Sequence, residues 1–176
     1  MLLGAQRQTE LLLATDGRVC SNGLPRPITN TAAVSNIARF AGPDPNPADN
    51  AISITVTPVD TTPPVIESVT ATPGQLWPPD HKMVLVTVSP QVTDLCDTAP
   101  VCRITGVTSN EAINGPGDGS TAPDWEIIEN LALDLRAERS GTGSGRQYSV
   151  ATECKDASGN KAMATVKVLV PKSEAQ

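Results

Sequence analysis

Alternation of apolar and polar residues, punctuated by Gly, Pro, Asn and Asp, organises the C-terminal two thirds of the chain. The stretch RAERSGTGSGRQYSVATECKDASGNKA, from Arg136 to Ala162, places a polar Gly/Ser turn between two strand-like segments. A second tight turn, Asp156–Asn160, leads into the alternating run Ala164–Val170. Two successive hairpins at this spacing predict a small all-β module. The same period-two reading predicts strands at 65–71, 83–94, 101–109, 125–128, 131–138, 146–154 and 161–170. Seven strands in this length fit an immunoglobulin-like antiparallel β-sandwich. Leu131–Arg139 has helical propensity, but Leu131, Leu133 and Leu135 alternate and a hairpin turn follows, so it is assigned as strand.

The first 59 residues read as a separate, partial β-sandwich unit. Ile28–Ile37 is rich in Thr and Val and predicts a strand; Ala51–Pro58 alternates and predicts a half-buried one. Gly42–Asn50 carries three prolines and predicts a loop. Thr9–Thr15 is too short an apolar run to distinguish strand from helix. Asp60–Pro64, DTTPP, marks a Pro-rich linker of extended character. The predicted organisation is thus 1–59, linker 60–64, sandwich 65–171 and tail 172–176.

Composition narrows the class. There are 16 prolines and 13 glycines but two tryptophans, one tyrosine and one phenylalanine, so Val, Ile, Leu and Ala must build the core. A net charge of −6 with scattered Lys and Arg argues against nucleic acid. Cys20, Cys96, Cys102 and Cys154 lack a paired CxxC and lie far from the single His81, which disfavours zinc. Disulfides in an oxidising compartment are the better expectation. The opening MLLGAQR lacks the layout of a signal peptide, and no apolar run is long enough to span a bilayer. An export signal is therefore expected outside this sequence.

The motifs TTPPVIESVTATP, LWPPDHKMVLVTV, VTDLCDTAPVCRITGVTSNE, GDGSTAPDWEI, LRAERSGTGSGRQYSV and ECKDASGNKAMATVKVLVP cover nearly all of 61–171. Together this segment resembles bacterial extracellular Ig-like modules related to the hyalin repeat. The preceding ITNTAAVSN…PDPNPADNAISITVTPV is similar to the C-terminal part of a secreted bacterial repeat of the DUF11 type, from about Pro27; residues 1–26 depart from that pattern. The resemblance implies an exported stalk or accessory module, extracellular or on the cell surface, with no activity of its own.

Candidate chemistry is sparse. Trp77, flanked by prolines in WPPDH, is either a stacking platform for a sugar or peptide or a plug at the end of the sandwich. His81 and Trp125 join it as candidate ligand-binding residues, although a histidine without nucleophile or carboxylate spacing reads as a loop residue. Asp94, Asp97 and Asp156 follow strands expected to end at one pole of the sandwich. They either bond their own turns or form a weak Ca²⁺ site. By the same topology Cys96, Cys102 and Cys154 cluster. Cys96–Cys102 closes a short loop and is the favoured pair, Cys102–Cys154 would join neighbouring strands of one sheet, and Cys20 has no evident partner. Arg139 or Arg146 is expected to pair with Glu126, Asp134 or Glu138. No GxSxG, HExxH or dinucleotide fingerprint occurs, so no enzyme and no required cofactor is expected. The expected role is a spacer whose partners are neighbouring domains of the same polypeptide; the alternative is carbohydrate- or protein-binding adhesion around Trp77.

Overall fold

A computed structural model describes residues 20–21, 24–25, 27–33, 51–115 and 121–173. The chain divides into two compact units, Met1–Pro58 and Val59–Gln176. In the first, β1 (Cys20–Ser21) pairs with β2 (Leu24–Pro25), and β3 (Ile28–Ala33) pairs antiparallel with β4 (Ala51–Val56). Side-chain hydroxyls bond across that ladder, Thr29 to Thr55 at 2.9 Å and Thr31 to Ser53 at 2.8 Å, while Ile52, Ile54 and Val56 occupy the alternate positions. The segments Thr9–Thr15 and Gly42–Asn50 lie outside the described residues, as do 34–37 of the expected 28–37 strand.

The second unit holds seven strands: β5 (Val65–Thr72), β6 (Met83–Thr93), β7 (Val101–Ser109), β8 (Trp125–Glu129), β9 (Ala132–Arg136), β10 (Gly145–Lys155) and β11 (Lys161–Pro171). They form two antiparallel sheets, β5-β6-β9-β8 and β11-β10-β7. Among the described residues there is no helix, and the fold is an all-β sandwich. This strand order is that of a constant-type immunoglobulin sandwich. Alternation outweighs helical propensity at Leu131–Arg136, because Leu133 and Leu135 are completely buried only in the extended conformation.

The core lies between the sheets. Val86, Val88, Leu133 and Leu135 face Ile104, Tyr148, Val150, Val168 and Val170. Each fully buried aliphatic side chain contributes about 1.5–3 kcal/mol. The pole plug is Leu76 rather than the neighbouring Trp77: Leu76 is 1% exposed and Trp77 39%. The reason is backbone pairing. Leu76 N–H donates to Leu169 O at 2.7 Å and Leu169 N–H to Gly74 O at 3.1 Å, so segment 74–76 lies along the edge of β11. That register turns Leu76 inward and Trp77 outward, and it covers part of an open edge. The turn into β10 requires glycine at Gly145, where φ is +116° and a Cβ would meet Val170 O at 2.9 Å.

The ladders Val65↔Thr93, Lys155↔Lys161 and Lys155↔Val101 place the start of β5, the end of β6, the start of β7 and the β10–β11 turn at one pole. This is the entry pole, because the chain enters the unit there. The opposite pole collects the starts of β6, β8 and β10 and the end of β9.

Candidate functional site

At the entry pole the loops are fastened covalently and by turn-capping carboxylates. Cys102 and Cys154 are direct cross-strand partners in β7 and β10, 4.0 Å apart at Cα, and form a disulfide. This corrects the favoured Cys96–Cys102 pairing. Cys102 points across the ladder at a neighbour in narrow register, whereas proximity in sequence does not direct its Cβ toward Cys96. Cys96 and Cys20 are also disulfide-bonded, and no cysteine is free. Two disulfides mark a non-cytoplasmic, oxidising environment. Among the described residues no helix is long and apolar enough to cross a membrane.

The aspartates of this pole divide into two kinds. Asp97 spends both oxygens on backbone: Oδ1 accepts from Ala99 N–H at 2.9 Å and Oδ2 from Ala157 N–H at 2.8 Å, tying the β6–β7 loop to the β10–β11 turn. It is not one of the clustered carboxylates. That cluster comprises Asp94, Asp156 and Asp60, each bringing a carboxylate oxygen within 4.8 Å of one from each of the others. Asp94 Oδ1 accepts from Cys96 N–H at 2.8 Å and Asp97 N–H at 2.7 Å. Asp60 Oδ1 accepts from Thr62 N–H at 2.9 Å. The second oxygens of both residues, Asp60 Oδ2 and Asp94 Oδ2, are buried and accept no hydrogen bond. A buried acceptor left unmade costs about 1–3 kcal/mol.

Asp156 differs, because Asn160 serves it twice, from N–H at 2.7 Å and from Nδ2 at 2.8 Å. Burial pushes its pKa up, but Asn160 and the N–H groups of Gly159 and Ser158 outweigh burial and hold the carboxyl below its ordinary 3.8. The same Asn160 amide donates to Asp60 O at 3.2 Å and Thr62 O at 3.3 Å. Segment 60–64 is thus bonded to the sandwich, with Asp60 and Pro64 buried. Beside this pole lies an open groove of about 520 Å³, lined by Arg103, Glu153, Lys155 and Lys161 among others. Glu153 is ion-paired there with Arg103 and Lys161, each at 3.1 Å. Lys161 first and Arg103 second lower its pKa against the opposing effect of burial.

The opposite pole is built on Arg146, 1% exposed. Its Nη1 lies 2.8 Å from Asp124 Oδ2 and 3.2 Å from Glu138 Oε1, and donates to the Tyr148 hydroxyl at 3.0 Å. Nη2 donates to Ala112 O at 2.9 Å. Tyr148 donates in turn to Arg136 O at 2.8 Å. Burial, above all, pushes the Tyr148 hydroxyl up to about 12 despite the adjacent guanidinium. Burial disfavours the charge on Arg146, but Tyr148, Asp124 and Glu138 outweigh it and raise its pKa further. The expected Arg146–Glu138 pair is therefore present, inside the core rather than on the surface, while Arg139 binds the carbonyls of Pro171 and Lys172.

The three candidate ligand-binding residues each have their own contacts at the opposite pole. Trp125 packs edge-on against Tyr148, with ring centroids 6.2 Å apart, and belongs to the core margin. His81 sits in a turn at φ 64°, its Nδ1 3.3 Å from Glu138 Oε2 and its carbonyl accepting from Arg136 Nη1 at 2.8 Å. Trp77 stands on the rim of a groove of about 420 Å³ with Pro73, Pro78, Met83 and Leu85. In the sequence Asp60 is simply the first residue of the DTTPP linker. The available signal was that Asp60 precedes the first strand at the pole where Asp94 and Asp156 follow theirs. No protein-family model, curated protein or solved structure matches the chain.

Proposed function

We propose that the chain is a non-catalytic structural module, a spacer within an exported bacterial surface or secreted protein. The observation that carries this reading is the fastening of the entry segment. A spacer holds its neighbours in place only through its ends, and here Asn160 binds the carbonyls of Asp60 and Thr62 while a disulfide locks the strands beside it. Supporting it, the buried charges of the opposite pole are consumed in holding β8, β9 and β10 together. The test is single-molecule stretching of the oxidised chain through its two ends. A spacer gives way at unit 2 in one cooperative rupture; gradual lengthening from the lowest loads would refute the reading.

A second reading rests on Trp77. An exposed indole beside two prolines and an open groove suits stacking on a sugar ring or a Pro-rich peptide. Saturable binding on a glycan or peptide array, lost in Trp77→Ala, would replace the spacer with an adhesion module.

A further inference from the structure

We infer that Asp60, Asp94 and Asp156 form a Ca²⁺ site that clamps the entry segment onto the sandwich. The cluster is more than a coincidence of acidic loops. Asp60 is 8% exposed, its Oδ2 is buried and without a hydrogen-bond donor, and one of its carboxylate oxygens lies among those of the other two aspartates. Asp94 Oδ2 is buried and unserved in the same way. In both residues the backbone engages one oxygen and leaves the other for a ligand.

The charge balance points to a cation. Three carboxylates within 4.8 Å repel one another, and among the described residues no lysine, arginine or histidine forms a salt bridge with any of them. Asp156 is braced on both carboxylate oxygens by Asn160.

Ca²⁺ fits the donor set better than the alternatives. All donors are hard oxygens, with no thiol or imidazole among them, which disfavours zinc and copper. The carboxylates come from three separate loops and leave several positions to water. Ca²⁺ tolerates that irregular coordination, and Mg²⁺, which requires near-ideal octahedral geometry, does so poorly. Few protein ligands imply weak binding, with Kd of about 10⁻⁴–10⁻³ M, as in extracellular modules. The loops are preorganised, since Cys96 and Cys154, two residues beyond Asp94 and two before Asp156, are both disulfide-bonded. Because Asp60 opens the segment leading into β5, the ion would bridge the entry of the chain to the ends of β6 and β10. This holds whether the module is a spacer or an adhesin.

The test is a ¹H–¹⁵N NMR titration of the oxidised full chain, stripped with a chelator, with CaCl₂. The amides of Thr62, Cys96, Asp97 and Asn160 each donate to one of the three carboxylates. They should shift together and saturate, while Ala137 and Asn110 at the opposite pole stay fixed. With Kd near 5 × 10⁻⁴ M, 10 mM Ca²⁺ should favour the folded state about 20-fold, raising Tm by roughly 3–6 °C. Asp60→Asn and Asp94→Asn should each weaken binding at least about tenfold, whereas Asp80→Asn, at the opposite pole, should not. The proposal is overturned if 10 mM Ca²⁺ moves neither these amides nor Tm. It is equally overturned if Asp60→Asn binds as the parent does, or if Mg²⁺ saturates the same amides more tightly.

Discussion

Cys102–Cys154 supplies the largest single covalent constraint that can be quantified in unit 2. The bridge joins residues separated by 52 positions. For a closed loop of this length, the chain-entropy relation gives about 4 kcal/mol at 25 °C, through restriction of the unfolded chain. The double variant Cys102→Ala/Cys154→Ala also trims two buried side chains, a smaller effect in the same direction. The expected loss is therefore about 3–5 kcal/mol, or roughly 10–20 °C in Tm. Equilibrium urea unfolding followed by tryptophan emission is the assay. Both tryptophans, Trp77 and Trp125, lie in unit 2, so the signal reports that unit alone. The m-value should rise as well, because a chain freed of its cross-link exposes more surface on unfolding. A loss below about 1 kcal/mol with an unchanged m-value would refute the reasoning, and would mean that the unfolded chain retains the β7–β10 pairing without the bridge.

Arg146→Met should destabilise the fold by about 3–5 kcal/mol in the same assay, because it leaves Asp124 and Glu138 buried without their shared counter-charge; Arg146→Lys should restore only part of this, since an ammonium cannot reproduce the guanidinium fork. Tyr148 is the single tyrosine, so tyrosinate absorbance reports it directly. Its folded pKa of about 12 lies above the ordinary 10.0, so the associated stability is complete below pH 10 and is lost as pH rises through about 12. Native protein should ionise near the upper value and urea-unfolded protein near the lower; ionisation near pH 10 in both states would contradict the burial argument.

The strands were legible because period-two alternation survives in most of them, β8 with its bulge at Ile127–Glu129 being the exception, and the observed limits of β5 to β11 fall within two residues of those read from the sequence. Register was not legible. Choosing between Cys96 and Cys154 as the partner of Cys102 requires knowing which residues stand opposite one another in β7 and β10, and that follows from the whole ladder rather than from spacing. The exchange of Leu76 for Trp77 has the same origin: side-chain size favours burying the indole, and backbone pairing with Leu169 reverses the outcome. The buried arginine was half visible, since Arg146, Tyr148, Val150, Thr152 and Cys154 share one parity along β10. Reading it needed the premise that a charged residue at an inward position finds partners inside. Asp60 was hidden for a different reason. It meets Asp94 and Asp156 only after both sheets have closed, so no local pattern marks it.

The two poles place buried charge in opposite settings, and the contrast bears on the role of each. At the Arg146 pole the carboxylates of Asp124 and Glu138 share a guanidinium, and Arg136 binds the carbonyls of Pro123 and His81 beside them. That arrangement is self-sufficient: its cations belong to the chain, and it holds β8, β9 and β10 in register whatever surrounds it. At the entry pole Asp60 and Asp156 are buried and Asp94 half-buried, all three braced by backbone donors, yet no basic side chain among the described residues forms a salt bridge with them. A fold able to place Arg146 in its core can neutralise carboxylates internally, so the lack of a basic partner for Asp60 and Asp94 among the described residues sets the entry pole apart. The entry pole is where the chain runs into unit 2 from the preceding residues. A clamp there that depends on an external ion would make the stiffness of the joint a property of the medium, whereas the opposite pole stays constant.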